Sequence, residues 1–116
     1  QSLHASALKR LAGVLVNHDI CDGSVEELLD LKIPQLFMPH GVGHLLGIQV
    51  HDVGGHQSDS CGTILPPPTD SPALRNTRVM EADMVFTVEP GLYFIPLILE
   101  AERNSAKGKK LNYIRI

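Results

Sequence analysis

The chain has no tryptophan, and aromatic side chains make up only 4% of its 116 residues. That length falls in the usual range for one domain and can bury a real core, but so few aromatics are thin for a core that must stand alone. Cysteine is equally scarce. Cys21 and Cys61 stand far apart and outside any CxxC, which excludes a disulfide framework and makes a reducing compartment the default. The formal charge is −3 and no Lys/Arg stripe exists, which argues against a dedicated nucleic-acid binder. No apolar run approaches ~18 residues, so nothing spans a membrane, and no basic-then-apolar leader opens the chain. These absences describe a small soluble cytoplasmic domain. What the chain does have in excess is histidine, six in all.

Residues 3–17 read as an amphipathic helix. Leu3, Ala7, Leu8, Leu11, Val14 and Leu15 share one arc at 100° per residue, and Ser2 is placed to cap it. A shorter helix follows Asp22-Gly23, with Ser24 as N-cap, Glu27 as its capping-box partner, and Pro34 as its end. Residues 57–72 are a loop by composition, stiffened by Pro66-Pro67-Pro68. Met84–Glu89 reads as a strand closed by Pro90-Gly91, Leu92–Leu99 as an extended apolar run, and Tyr113–Ile116 as the opening of a further strand. There is no internal repeat and no second-domain linker. The mixture points to an α+β fold.

The stretch from Met38 to Asp52 carries the most chemistry. His40 and His44 have the i, i+4 spacing of a helical zinc site, but Gly41 stands where the helical metalloprotease pattern needs Glu. Gly41, Gly43 and Gly47 would each cost ~0.8–1.0 kcal/mol in a helix, so the histidines are presented from a turn or bent strand. Dense glycine also lets the backbone approach a ligand or neighbouring strand closely. Three histidines (His40, His44, His51) within twelve residues favour a functional cluster over three separate structural residues. His4 and His18 read as ordinary helix and post-helix residues, and His56 as a solvated loop residue within reach of a site. Glu89 lies at a strand end before Pro-Gly, a position that serves function and solvation alike. Arg75 and Arg78 are surface charges unless an anion has to be held.

The run His40-Gly41-Val42-Gly43-His44-Leu45-Leu46-Gly47-Ile48-Gln49-Val50-His51-Asp52 resembles the signature of the proline-specific metallopeptidases of the creatinase-like "pita-bread" fold. These include Xaa-Pro dipeptidase (prolidase) and aminopeptidase P. Thr87–Tyr93 resembles their second block, and Asp52–Gly55 and Leu74–Arg78 resemble the dipeptidase branch more than aminopeptidase P. The resemblance covers roughly residues 36–95. It implies a partial pita-bread fold and a centre of two divalent ions, with manganese favoured over cobalt or zinc. His44 and Glu89 are the implied metal ligands, and Glu89 also the proton shuttle. His40 and His51 are the implied substrate-contacting, catalytic histidines. Arg75 is the implied clamp on the carboxylate of an Xaa-Pro dipeptide. A homodimer is the assembly that the resemblance implies.

The departures are as informative. Five ligands are implied (two Asp, one His and two Glu), and only His44 and Glu89 are matched. Asp19, Asp22 and Asp30 lie too close to the histidine block, and the chain stops at Arg115-Ile116, just before the position of the last Glu. The expectation is therefore that residues 1–116 are a fragment of a C-terminal catalytic domain, inactive alone, whose partner is the remainder of that domain. Three other readings stay open: an aminopeptidase P-type exopeptidase, a non-catalytic scaffold without metals, and a mononuclear zinc hydrolase using His40, His44 and Glu89. Gly41 at the general-base position weighs against the last.

Overall fold

The computed structural model describes residues 2–116, with the side chain of Ser2 outside the description. The chain divides into two compact units. One comprises the start of the chain through His4 together with Pro39–Pro90, and the other Ala5–Met38 together with Gly91–Ile116.

The second unit is helical and holds the larger core. Helix α1 runs Ser2–Asn17. Its buried stripe is His4, Leu8, Ala12 and Leu15, whereas Leu3 and Val14 of the expected arc are exposed. The face is narrower than the sequence suggested, with Ala12 and Leu15 fully buried at its centre. The cap expected from Ser2 lies outside the described side chains. The helix stops in a Schellman motif: Asp19 takes a left-handed conformation (φ 56°), its N–H reaches Val16 C=O, and Ile20 N–H reaches Leu15 C=O.

Helix α2 (Val25–Asp30) begins as expected. Ser24 Oγ accepts from Glu27 N–H at 3.1 Å, and Glu27 Oε2 accepts from Ser24 N–H at 2.9 Å. Pro34 does not end it. A second Schellman motif does, with Lys32 left-handed (φ 55°) and Ile33 N–H on Leu28 C=O. The flanking Ile33 and Leu28 are both fully buried, which supplies the apolar contact of that motif. Pro34 instead opens the single turn α3 (Pro34–Phe37), where its missing N–H is no loss.

The run 92–99, expected to be extended, contains helix α4 (Pro96–Ala101), again with proline at its first turn. The expected C-terminal strand is also absent. Tyr113–Arg115 form a turn, with the Tyr113 hydroxyl donating to Leu99 C=O and the Arg103 guanidinium stacked over its ring at 4.0 Å. Ala12, Leu15, Cys21, Leu28, Ile33, Leu36, Phe37, Leu99 and Leu111 form the core. Full burial of a leucine such as Leu15 contributes about 1.5–3 kcal/mol.

The first unit has little regular structure. Among the described residues no strand forms in either unit; the β component consists of three isolated antiparallel bridges, Cys21–Leu111, Leu45–Phe86 and Gln57–Ile64. The expected strand at Met84–Glu89 is extended and pairs with Val42–Leu46 through Glu89 N–H to Val42 C=O, Thr87 N–H to His44 C=O, and Leu46 N–H to Val85 C=O. A pair of such segments is marginal without further partners. The loop 57–72 opens as a short hairpin, whose tip is held by Asp59 accepting from Cys61 and Thr63 N–H.

Candidate metal and substrate site

The paired segments set the site. In a regular antiparallel pair His44 and Thr87 would exchange two backbone hydrogen bonds. Here Thr87 N–H donates to His44 C=O at 2.8 Å, but His44 N–H turns to the Thr87 hydroxyl at 3.0 Å instead of its carbonyl. That carbonyl lies against Gly43, where a Cβ would stand 2.0 Å from it. No residue but glycine fits, and the ladder breaks at this point. At Gly47 the near atom is the Asp52 carboxylate, 2.0 Å from a built Cβ, a side-chain end that can swing aside.

The break places two donors together. The buried His44 ring has Nδ1 at 2.9 Å from Leu45 C=O, and its Nε2 is 3.1 Å from Glu89 Oε1. A carbonyl only accepts, so Nδ1 carries the hydrogen. The ring Nε2 faces a carboxylate, an arrangement that calls for a proton or a cation between the two atoms. A backbone-anchored Nδ1 with Nε2 turned outward is also the arrangement that orients metal-binding imidazoles. Glu89 is half-exposed, and a hydrogen bond from the Thr87 hydroxyl, aided by His44, holds its carboxyl below the usual range. It is therefore a carboxylate at neutral pH. The pair fits a divalent cation.

The structure brings two more of the expected residues to this pair. The His51 ring meets the His44 ring edge-on, with centroids 4.5 Å apart, and is itself exposed. His40 is half-buried, donates from Nδ1 to Gly41 C=O at 2.7 Å, and lies within electrostatic reach of Glu89. Arg75 is exposed, and among the described residues no hydrogen bond or ion pair joins it to the histidines or Glu89. Its carbonyl packs on Gly55, where a Cβ would stand 2.3 Å away. Among the described residues no three His, Cys, Asp or Glu side chains converge as a closed metal site. His44 and Glu89 are a two-donor set.

Several residues escaped the sequence reading. His4 is buried, only 6% exposed, and lines a cavity of about 20 Å³ with Asn76, Arg78, Phe86, Thr87 and His44. Burial pushes its imidazole pKa down. Arg78 is no free surface charge: it is half-buried, 3.7 Å from Glu81, and its Nε is enclosed. His56 is likewise no solvated loop residue, since its Nε2 reaches Leu74 C=O at 2.9 Å and ties Val53–His56 to the segment before Arg75. Only tertiary contact reveals these three. Thr87 carried a signal in its alternation with Glu89 on one strand face.

The chain is 46% identical over 114 residues to the Xaa-Pro dipeptidase of Aeromonas hydrophila subsp. hydrophila, covering 98% of this chain and 26% of that protein. It is 46% identical over 111 residues to that of Pseudoalteromonas atlantica and 41% over 111 residues to that of Shewanella woodyi, each covering 96% of this chain and 25% of the relative. The chain thus spans about a quarter of the length of these relatives. Residues 4–116 match the profile of metallopeptidase family M24. With His44 and Glu89 paired inside that match, the chain belongs to metallopeptidase family M24.

Proposed function

We propose that these residues form part of the catalytic centre of a dinuclear metal-dependent Xaa-Pro dipeptidase. The observation that carries this reading is the His44–Glu89 pair at 3.1 Å, with Nδ1 of the imidazole committed to Leu45 C=O. When bound, two divalent ions would supply a water acidified to near-neutral pKa and a Lewis acid for the scissile carbonyl. His44 Nε2 and the Glu89 carboxylate are the residues here that would hold them; one imidazole in a carboxylate-rich set favours Mn²⁺, with Co²⁺ or Zn²⁺ as substitutes.

The chain's own residues then divide the work. Glu89 accepts the proton of the attacking water and returns it to the leaving amine. His51, beside His44, and His40 donate hydrogen bonds to charge developing on the scissile oxygen. Arg75, whose guanidinium is in water, takes the free carboxylate of the substrate and so restricts it to dipeptides. The two Asp and one Glu still needed come from the remainder of the catalytic domain. Exposed Ile48, Val50 and Val53 beside the site support a covering partner of that kind. A pita-bread architecture, a homodimer and a cytoplasmic location complete the reading. Among the described residues no helix is long and apolar enough to cross a membrane.

The test is metal content and turnover in the complete natural chain that carries these residues. Two equivalents of Mn, Co or Zn per chain and hydrolysis of an Xaa-Pro dipeptide are expected; no metal would establish a scaffold instead. His44→Ala should abolish metal binding, whereas His51→Ala should chiefly lower kcat. Metal loss from His51→Ala would overturn the assignment of roles. The 116 residues alone should show no turnover, and activity equal to the complete enzyme's would refute the need for further ligands.

A further inference from the structure

The Thr87 hydroxyl holds the backbone of one half of the donor pair. It accepts the N–H of His44 at 3.0 Å and donates to His44 C=O at 3.4 Å. The Thr87 N–H meanwhile holds the same C=O at 2.8 Å. Three of the contacts that fix the His44 backbone beside the segment of Glu89 therefore pass through one residue. A hydroxyl is the group suited to this, since it accepts through a lone pair while donating its single hydrogen elsewhere. A valine of the same shape could do neither, and the backbone carbonyl that would ordinarily satisfy His44 N–H is turned onto Gly43.

We infer that Thr87 is a positioning residue whose side-chain hydroxyl holds His44 at metal-binding separation from Glu89, two residues along the same segment. It touches neither substrate nor metal. Its hydroxyl fixes the backbone that carries one ligand while its own backbone leads directly to the other, so that the pair is set before a cation arrives. Gly43 is the matching half of the device, because only an absent Cβ lets the Thr87 carbonyl move aside and free the hydroxyl for His44 N–H. This inference rests on the reading of His44 and Glu89 as metal ligands.

The experiment titrates Mn²⁺ into the metal-free complete chain by calorimetry, for native protein, Thr87→Val, Thr87→Ser and His44→Ala, with amide exchange at His44 followed in parallel. Thr87→Val should weaken Mn²⁺ binding by about 10- to 100-fold, the range for a residue one layer behind a ligand. The His44 amide should exchange at least about tenfold faster in that variant. Thr87→Ser should restore both within about threefold, which a role in packing through the methyl group would not allow. Native affinity in a folded Thr87→Val, or failure of Thr87→Ser to restore it, overturns the inference. Should Thr87→Val not fold, Thr87→Ser against Thr87→Ala isolates the same hydroxyl. If His44→Ala keeps native Mn²⁺ affinity, the metal reading itself falls; if it loses the metal while Thr87→Val does not, only the role of Thr87 falls.

Discussion

The helical unit and the site-bearing unit solve different problems with the same chain. In the helical unit three boundaries are closed by local chemistry: a capping box at Ser24 and Glu27, and Schellman turns at Asp19 and Lys32. Beneath those boundaries Leu15, Leu28, Ile33 and Phe37 are fully buried. In the site-bearing unit the backbone is held by isolated bridges and by side chains standing in for backbone partners, as Thr87 does for His44. Gly43 and Gly55 there are fixed by contact with backbone carbonyls, not by helix or strand propensity, and large apolar side chains such as Ile48 face water. The lesson is a division between parts: apolar burial specifies one, and the packing of backbone around a pair of donors specifies the other.

Four substitutions press on that division. The largest loss of stability is expected from Leu15→Ala, about 2–5 kcal/mol for a buried leucine, measured by urea unfolding. A loss below 1 kcal/mol would mean the helical core does not carry the stability. Gly43→Ala should cost about 1–3 kcal/mol, as overpacking does, and in the complete chain should weaken Mn²⁺ binding, because the new methyl must displace the Thr87 carbonyl. Unchanged affinity with Gly43→Ala would blur the comparison, since the site would then tolerate what its geometry forbids. Ser24→Ala removes one side of the capping box and should cost about 1 kcal/mol, with metal affinity untouched.

The smallest effect is a pH dependence. Burial keeps His4 neutral in the fold, whereas the unfolded chain takes up its proton near pH 6.5. Its pKa is depressed on folding, so its neutral burial costs nothing above that pH, and stability falls as pH drops below it. His4→Phe should flatten the fall in urea midpoint between pH 7 and pH 5. An identical slope in the variant would show that His4 is solvated.

What the sequence disclosed follows the same division. The capping box was legible because it is a contact three residues long. The donor pair was legible because the spacing of His40, His44 and His51 among glycines, with Glu89 before Pro90-Gly91, matches a pattern whose geometry is local at each end. Helix α4 was misread because Leu97-Ile98-Leu99 is apolar at every position and has no period to distinguish helix from strand. The strands expected at Met84–Glu89 and Tyr113–Ile116 had suitable side chains, but a strand needs a neighbour that sequence pattern cannot supply. The burial of His4 and Arg78 was out of reach for a related reason. Each is surrounded by residues from distant positions, and nothing in its own neighbourhood announces it.

The order of the chain adds a kinetic consequence to the geometry. The contact between His44 and Thr87 joins residues 43 apart, and closing a loop of that length costs on the order of 3 kcal/mol in chain entropy. The helical unit already closes almost the same loop, because Tyr93 N–H bonds to Phe37 C=O at 2.8 Å. Once that bond and the core around it form, the donor segments start only a few residues from a fixed junction, and their encounter becomes nearly local. Since doubling a loop adds only about 0.6 kcal/mol, the hairpin and proline run between the donors can lengthen or shorten cheaply. A cavity in the helical core, by contrast, would loosen metal binding without touching either ligand, by lowering the effective concentration of one for the other.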